Sequence, residues 1–477
     1  MRNRELALQK ARALVAQMTL EEKASQLRYD APAIERLGVH AYNWWNEGLH
    51  GVARAGVATV FPQAVALAAM FDGDLVRAVS RATALEGRAK YNALTKLGDR
   101  DIYKGLTFFS PNINIFRDPR WGRGHETLGE DPFLTAELGK AFVRGMQGDG
   151  DAMLASACAK HFAVHSGPEA IRHRFNAVCS EKDLWETYLP AFEALVNEAG
   201  VESVMGAYNR VNGEPCCGSK RLLVDILRTK WNFKGFVVSD CWALVDFHTG
   251  HGVTATPEES AALAMQAGCD LNCGSVYQIV LSAYRQGLVS EEQITTACER
   301  LMTTRYLLGV LGEGSAYDEI PFETVECPEH LALAHETALK ACVLLKNDGL
   351  LPLRRENLKT LAVIGPNADS RLALVGNYHG TSSRYVTVLE GLQDACKEEI
   401  RVLYAPGCAM AKRKTEVLAK DDDRLMEALA AAQHSNAVVL VLGLDELLEG
   451  EAPDDGNSME AGDKPDLLLP QVQRELA

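Results

Sequence analysis

The chain has 477 residues, 47% of them hydrophobic and 24% charged, enough apolar material for two cores and too much for a disordered chain. Its formal net charge of −15, from 64 acidic and 49 basic side chains, argues against nucleic-acid and anionic-membrane partners and suits a neutral ligand. Twelve cysteines are scattered without metal-ligand spacing, and no apolar run is long enough to span a bilayer.

The N-terminus is charged and lacks an apolar signal core, so a cytoplasmic protein with reduced, buried thiols is expected. Residues 5–28 read as an amphipathic helix or helix pair, with Thr19 and Glu22 as a capping box opening the second segment. Tyr42-Asn-Trp-Trp-Asn-Glu47-Gly-Leu-His50 follows. Two adjacent tryptophans cannot both enter one core, so one is expected to face a pocket beside Glu47 and His50. A loop packed on a barrel rim is the bland alternative. Residues 62–95 read as a helix and 106–115 as a strand. The polar loop after it, with Arg117, Arg120, Trp121, Arg123 and several carboxylates, reads as a site loop.

Strand and helix then alternate. Leu154–Ala159 is a strand ending in Lys160 and His161. Residues 181–199 are a helix, 202–207 a strand ending in Tyr208 and Asn209, and 219–230 a helix. Gly235-Phe-Val-Val-Ser-Asp240-Cys-Trp242 comes next. Its β-branched half is apolar on both faces, as in a buried parallel strand. Its other half presents a carboxylate, a thiol and an indole. Burying an unpaired carboxylate is costly, whereas α/β folds build their sites at the carboxyl ends of strands. The plain alternative is an Asp that caps the next helix. Residues 257–267 are a helix, and Gly268-Cys-Asp270-Leu-Asn272 is a further polar strand end. Polar groups gathered at successive strand ends, over about 300 residues of strand–helix repeat, point to an α/β fold of the (β/α)8-like barrel type.

Residues 312–330 read as a linker, followed by a helix over 329–344. Strands near 360–364, 401–404 and 437–443, with a helix over 420–433, begin a second α/β domain. Three strands are few for such a sheet, so this domain is expected to be C-terminally truncated at Ala477. The expected organisation is a barrel over 1–315, a linker over 316–335 and an incomplete α/β sandwich over 336–477. Neither GxGxxG nor GxxxxGK[ST] occurs, and His125-Glu126 lacks a second His four residues on. No cofactor and no metal are therefore expected.

Several motifs occur together: Phe116-Arg-Asp-Pro-Arg-Trp-Gly-Arg123, Glu126-Thr-Leu-Gly-Glu-Asp-Pro, Ala159-Lys-His-Phe, Met205-Gly-Ala-Tyr-Asn, Gly235-Phe-Val-Val-Ser-Asp, and Leu344-Leu-Lys-Asn-Asp-Gly-Leu-Leu-Pro-Leu. In this order the chain, from about residue 15 onward, resembles glycoside hydrolase family 3, the β-glucosidases and β-xylosidases. The resemblance implies a barrel followed by an α/β sandwich, with the active site between them. It implies that Asp240 is the nucleophile and that Arg123, Lys160, His161, Tyr208 and Arg172 hold the hydroxyls of the reacting sugar. The segment Ile171-Arg-His-Arg174 leaves Arg174 as the alternative to Arg172. The Trp-Trp-Asn-Glu47 stretch is similar to the β-xylosidase branch, where the Glu binds the non-reducing end of a pentose.

Retaining glycosidases need two carboxylates about 5–5.5 Å apart, one a nucleophile and one an acid/base. Cations at Lys160 and Arg123 would keep Asp240 ionised, and fixed polar groups would stabilise an oxocarbenium-like transition state. Trp242 is a candidate to stack on the sugar, with core packing as its alternative. In the family the acid/base comes from a variable loop, often Glu-x-Glu-Gly-x-Asp-Arg. The segment here departs from that pattern; Glu451 matches it best, then Glu449, then Glu460, each with a solvated acidic loop as the bland reading.

The implied activity is exo-acting retaining hydrolysis of terminal β-D-xylosyl residues from xylo-oligosaccharides. A β-glucosidase or α-L-arabinofuranosidase of the same family is the near alternative, and a sugar-binding fragment without turnover the distant one. The Lys-His-Phe-Pro-Gly-His-Gly stretch of the family's N-acetylglucosaminidases is absent. The expected partner is a small oligosaccharide or aryl glycoside, with no nucleic acid or membrane; oligomeric state is not legible in the sequence.

Overall fold

The computed structural model describes residues 2–414, 416–452 and 462–477. The chain forms two compact units. Unit 1 is Met1–Asp118, Gly124–Ala341 and Tyr378–Ser382; unit 2 is Pro119–Arg123, Cys342–Asn377 and Ser383–Ala477.

Unit 1 is built on a ring of mostly parallel pairings. Cys158–Phe162, Ser203–Gly206 and Phe236–Ser239 lie side by side in that order. Single bridges carry the ring onward, Val238 to Leu271 and Asn272 to Arg28 on one side, Ser156 to Thr107 and Lys160 to Asn112 on the other. Asp30–Ala31 pairs antiparallel with Tyr42–Asn43, and Asn46 bridges Phe108, so the pairings close on themselves. Closure removes free sheet edges and leaves each of the three parallel strands buried along its length. That double burial is why Phe236-Val-Val-Ser239 reads as an unbroken apolar run. Gly235 starts this strand because a Cβ there would lie 1.8 Å from the Glu202 carbonyl oxygen.

The helices follow the sequence reading with local corrections. Thr19 and Glu22 form the capping box, Glu22 N–H donating to Thr19 Oγ1 at 3.2 Å and Thr19 N–H to Glu22 Oε2 at 2.8 Å. The helix expected over 62–95 is two, Ala64–Ala69 and Gly73–Lys96. The break falls at Phe71, in the left-handed region (φ 52°), and Asp72 caps the second helix through Leu75 N–H. The helices at 181–199 and 219–230 contain widened turns over Leu184–Tyr188 and Arg221–Lys230. Residues 106–115 are not one regular strand. Main-chain bonds to 156–160 continue on either side of Ser110–Pro111, but the ladder is interrupted there, where Pro111 has no N–H to give.

The stretch expected to be a linker, 316–335, belongs to unit 1, and unit 2's C-terminal run starts at Cys342 rather than near 336. Asn92 Nδ2 donates to the carbonyls of Tyr317 and Ile320, and buried Glu86 accepts from Glu326 N–H and pairs with His330 at 2.8 Å. A Gly- and acid-rich composition suggested slack chain; a buried carboxylate ties it down instead.

In unit 2 a three-stranded parallel sheet runs Arg401–Ala405, Thr360–Ile364, Ala437–Leu440. The central strand alternates its side chains between two faces. Leu361 and Val363 pack with Leu389, Cys396 and Ile400, whereas Ala362 and Ile364 pack with Ala405 and Ala428. Helix Val388–Cys396 supplies Leu389 and Cys396 to the first cluster and helix Leu425–Gln433 supplies Ala428 to the second, in a doubly wound arrangement. Among the described residues no helix is long and apolar enough to cross a membrane.

Candidate active site

The carboxyl ends of the unit 1 strands carry the polar groups singled out from sequence. Asp240 directly follows Phe236–Ser239 and is 5% exposed. Its own N–H donates to Gly206 O at 3.1 Å, which sets its backbone against the neighbouring strand. Its Oδ1 accepts from Cys241 N–H at 2.9 Å, and its Oδ2 lies 3.7 Å from His161 Nε2. Asn114 holds that imidazole. Its Oδ1 accepts from both the His161 N–H and Nδ1 at 2.9 Å, and its Nδ2 donates to His161 O. Nε2 is thereby turned toward the carboxylate.

Lys160 precedes His161 and extends to Glu47. Its Nζ lies 3.1 and 3.3 Å from the two Glu47 oxygens, and both residues are buried. Burial pushes the Glu47 carboxyl up to about 7, against the opposing pull of Lys160. The face of Tyr378 covers the same ammonium, its ring centre 4.5 Å from Nζ and 5.2 Å from the Arg54 guanidinium. Tyr378 begins a short segment held within unit 1: Thr381 N–H donates to Gly56 O, Ala58 N–H to Thr381 O, and Arg54 N–H to His379 O.

The two neighbouring tryptophans differ in burial. Trp44 is fully buried against Tyr42 and Phe236. Trp45 is half-buried, edge-on to Trp242 at 5.8 Å and to Tyr29 at 5.6 Å. Trp242 is 39% exposed and sits at φ 63°, held there by its N–H donating to Cys273 O at 2.7 Å. A large aromatic in the left-handed region costs about 1–3 kcal/mol, and such strain collects at functional sites. Tyr208 is buried with Arg172 stacked 5.1 Å from its ring centre; Arg172 is anchored to Glu169 at 2.6 Å. Arg174 is exposed, so of the two candidate arginines Arg172 is the one turned inward.

Arg123 and Glu451 meet within unit 2. Arg123 Nη1 lies 3.3 Å from Glu451 Oε1, and Asn377 Nδ2 donates to Oε2 at 3.2 Å; all three are buried. Gly122 makes this pairing possible, since a Cβ there would lie 2.2 Å from Gly450 O and 2.4 Å from Gly462 O. Gly122 N–H also donates to Asp463 Oδ1, and Lys464 N–H to Arg120 O. Glu449 is only half-buried, and burial raises its carboxyl above the usual range. Glu460 lies outside the described residues.

Sequence reasoning missed Asn114, Tyr378 and Asn377. Asn114 had a signal, standing in the polar run Ser110-Pro-Asn-Ile-Asn114 at a strand end. Tyr378 and Asn377 had none, because they lie more than two hundred residues from Lys160 or beside no motif. Among the described residues no cluster of three or more His, Cys, Asp or Glu is arranged to hold a metal ion.

Comparison with known proteins identifies the family. The model of the glycosyl hydrolase family 3 N terminal domain matches residues 11–304, and that of the C-terminal domain residues 342–477. A xylan 1,4-beta-xylosidase of Xylanibacter ruminicola is 42% identical over 418 residues, 86% of this chain and 48% of that protein. A probable beta-D-xylosidase 7 of Arabidopsis thaliana is 40% identical over 98% of this chain and 61% of its own length. Among solved structures, a GH3 exo-beta-xylosidase (XlnD) bound to a xylobiose aziridine probe superposes with TM-score 0.89 at 31% identity, covering 98% of this chain and 60% of that one. The β-glucosidase EmGH1 from Erythrobacter marinus gives 0.85 at 30%, covering 98% and 69%. The chain spans about half to three fifths of the length of these curated relatives. With both family models matched in order and the barrel and α/β sandwich in place, the chain belongs to glycosyl hydrolase family 3.

Proposed function

We propose that this chain carries the machinery of an exo-acting retaining β-glycosidase that removes terminal non-reducing β-D-xylosyl residues from short xylo-oligosaccharides. The observation that carries this reading is the buried Asp240 carboxylate at a strand end, aimed by Cys241 N–H and faced by His161. A carboxylate so placed is suited to form a bond to an anomeric carbon. Lys160, His161, Tyr208 and Arg172 supply fixed polar groups for the sugar hydroxyls, and preorganised groups of this kind stabilise developing charge without rearranging. Trp45 and Trp242 offer an aromatic surface for a pyranose face.

In the first step an Asp240 oxygen bonds to the anomeric carbon while the glycosidic C–O bond breaks. Glu451 gives its proton to the departing oxygen. In the second step the Glu451 carboxylate takes a proton from water, whose oxygen displaces Asp240. Glu451 is preferred over Glu449 because it is the buried carboxylate, held by Arg123 and Asn377. The pentose preference rests on Glu47 and on relatives named as xylosidases. β-Glucosidase activity is the second reading, supported by the similarity to EmGH1.

A 2-fluoro xylosyl or glucosyl label followed by peptide mapping tests nucleophile and sugar together. Label on Asp240 from the xylo reagent is expected; label on any other side chain removes the assignment. Asp240→Asn is expected to lower turnover by about three orders of magnitude or more with the fold intact.

A further inference from the structure

Two thiols meet beside the candidate nucleophile. Cys241 follows Asp240 at the end of Phe236–Ser239, and Cys273 follows Asn272 on the adjoining segment. Both are buried, and their Sγ atoms lie 2.7 Å apart. The segments that carry them are paired side by side. Val238 bridges Leu271, Ser239 N–H donates to Leu271 O, Cys273 N–H to Ser239 Oγ, and Trp242 N–H to Cys273 O. The pairing holds the two sulfurs within reach of each other.

We propose that Cys241 and Cys273 are a modification site, a dithiol that an oxidant of the peroxide class converts reversibly to a disulfide, and that this bond slows turnover at Asp240. The Cys241 sulfur attacks a peroxide oxygen, the O–O bond breaks, and water leaves behind a sulfenic acid. The Cys273 sulfur then attacks that sulfur, the S–O bond breaks, and a second water leaves. Two thiols are oxidised and one hydrogen peroxide is reduced to two waters. Both sulfurs are buried, so a small neutral oxidant suits the site better than a bulky charged disulfide. Burial also holds the Cys241 thiol well above its ordinary range, which makes its attack slow. The link to turnover is the Cys241 N–H, which aims Asp240 Oδ1. A bond that pulls on Cys241 acts on that contact, and small misplacements of a reacting group are costly in rate.

The turnover part rests on the function proposed above; the disulfide does not. The protein is treated with hydrogen peroxide, its thiols are counted after denaturation, and its peptides are mapped without reduction. Loss of two of the twelve thiols and a peptide joining Cys241 to Cys273 are expected. With nitrophenyl xyloside, kcat is expected to fall several-fold with little change in KM and to return with dithiothreitol. Cys273→Ser, with Cys241→Ser as the second variant, is expected to abolish both effects. No cross-linked peptide, or a cross-link that leaves kcat unchanged, overturns the proposal. If the reduced protein turns over no aryl glycoside, the proposed function fails, while mapping still decides the disulfide.

Discussion

Glu47 offers a quantitative test of how the site is held together. Its carboxyl is raised from 4.5 to about 7, chiefly by burial. The unfolded chain therefore releases this proton at lower pH than the folded chain does. Below pH 4.5 both states hold it, and the contribution to stability is fully present. Between 4.5 and about 7 only the folded state holds it, so that contribution is lost as pH rises and is gone above about 7. At about 1.36 kcal/mol per pH unit, the full loss is about 3 kcal/mol. Glu47→Gln keeps the shape and removes the titration. Urea unfolding of both proteins from pH 4 to 8 measures the difference. Wild type is expected to lose up to about 3 kcal/mol relative to the variant across this window. Parallel stability curves would refute the burial argument and imply that Lys160 keeps Glu47 ionised throughout.

Three further outcomes follow from particular contacts. Glu451→Ala is expected to lose activity on poor leaving groups and regain it with azide or activated aryl glycosides; rescue at Glu449 or Glu460 instead would reassign the acid. Gly122→Ala is expected to cost at least the upper part of the about 1–3 kcal/mol typical of overpacking, since its Cβ meets two backbone oxygens, and a melting curve reads this directly. Tyr378→Phe keeps the aromatic face over Lys160 and is expected to retain activity. Tyr378→Leu is expected to raise KM; equal behaviour of the two variants would remove the cation–π account.

Several residues of the candidate site could be picked out before any coordinates. Asp240, Lys160, His161 and Tyr208 stand at the ends of apolar runs, and a strand buried on both faces announces itself as an unbroken apolar stretch. That Trp44 and Trp45 differ in burial could be argued because one core cannot take two neighbouring indoles, but which of them is buried could not. The linker reading of 316–335 failed for the opposite reason. Its composition was loose, but the partner that orders it, Glu86, lies far away in the chain.

The sequence alone determined most of the elements and their order: capped helices, buried strands, and the polar residues at strand tips, all written in contacts within a few residues. Tertiary structure decided which of those residues meet. It turned Arg172 inward and Arg174 outward, passed Gly122 close enough to Gly450 for Arg123 to reach Glu451, and laid Tyr378 over Lys160. Such pairings depend on how the chain closes upon itself, and closure is set by packing summed over the whole unit, which no local pattern encodes.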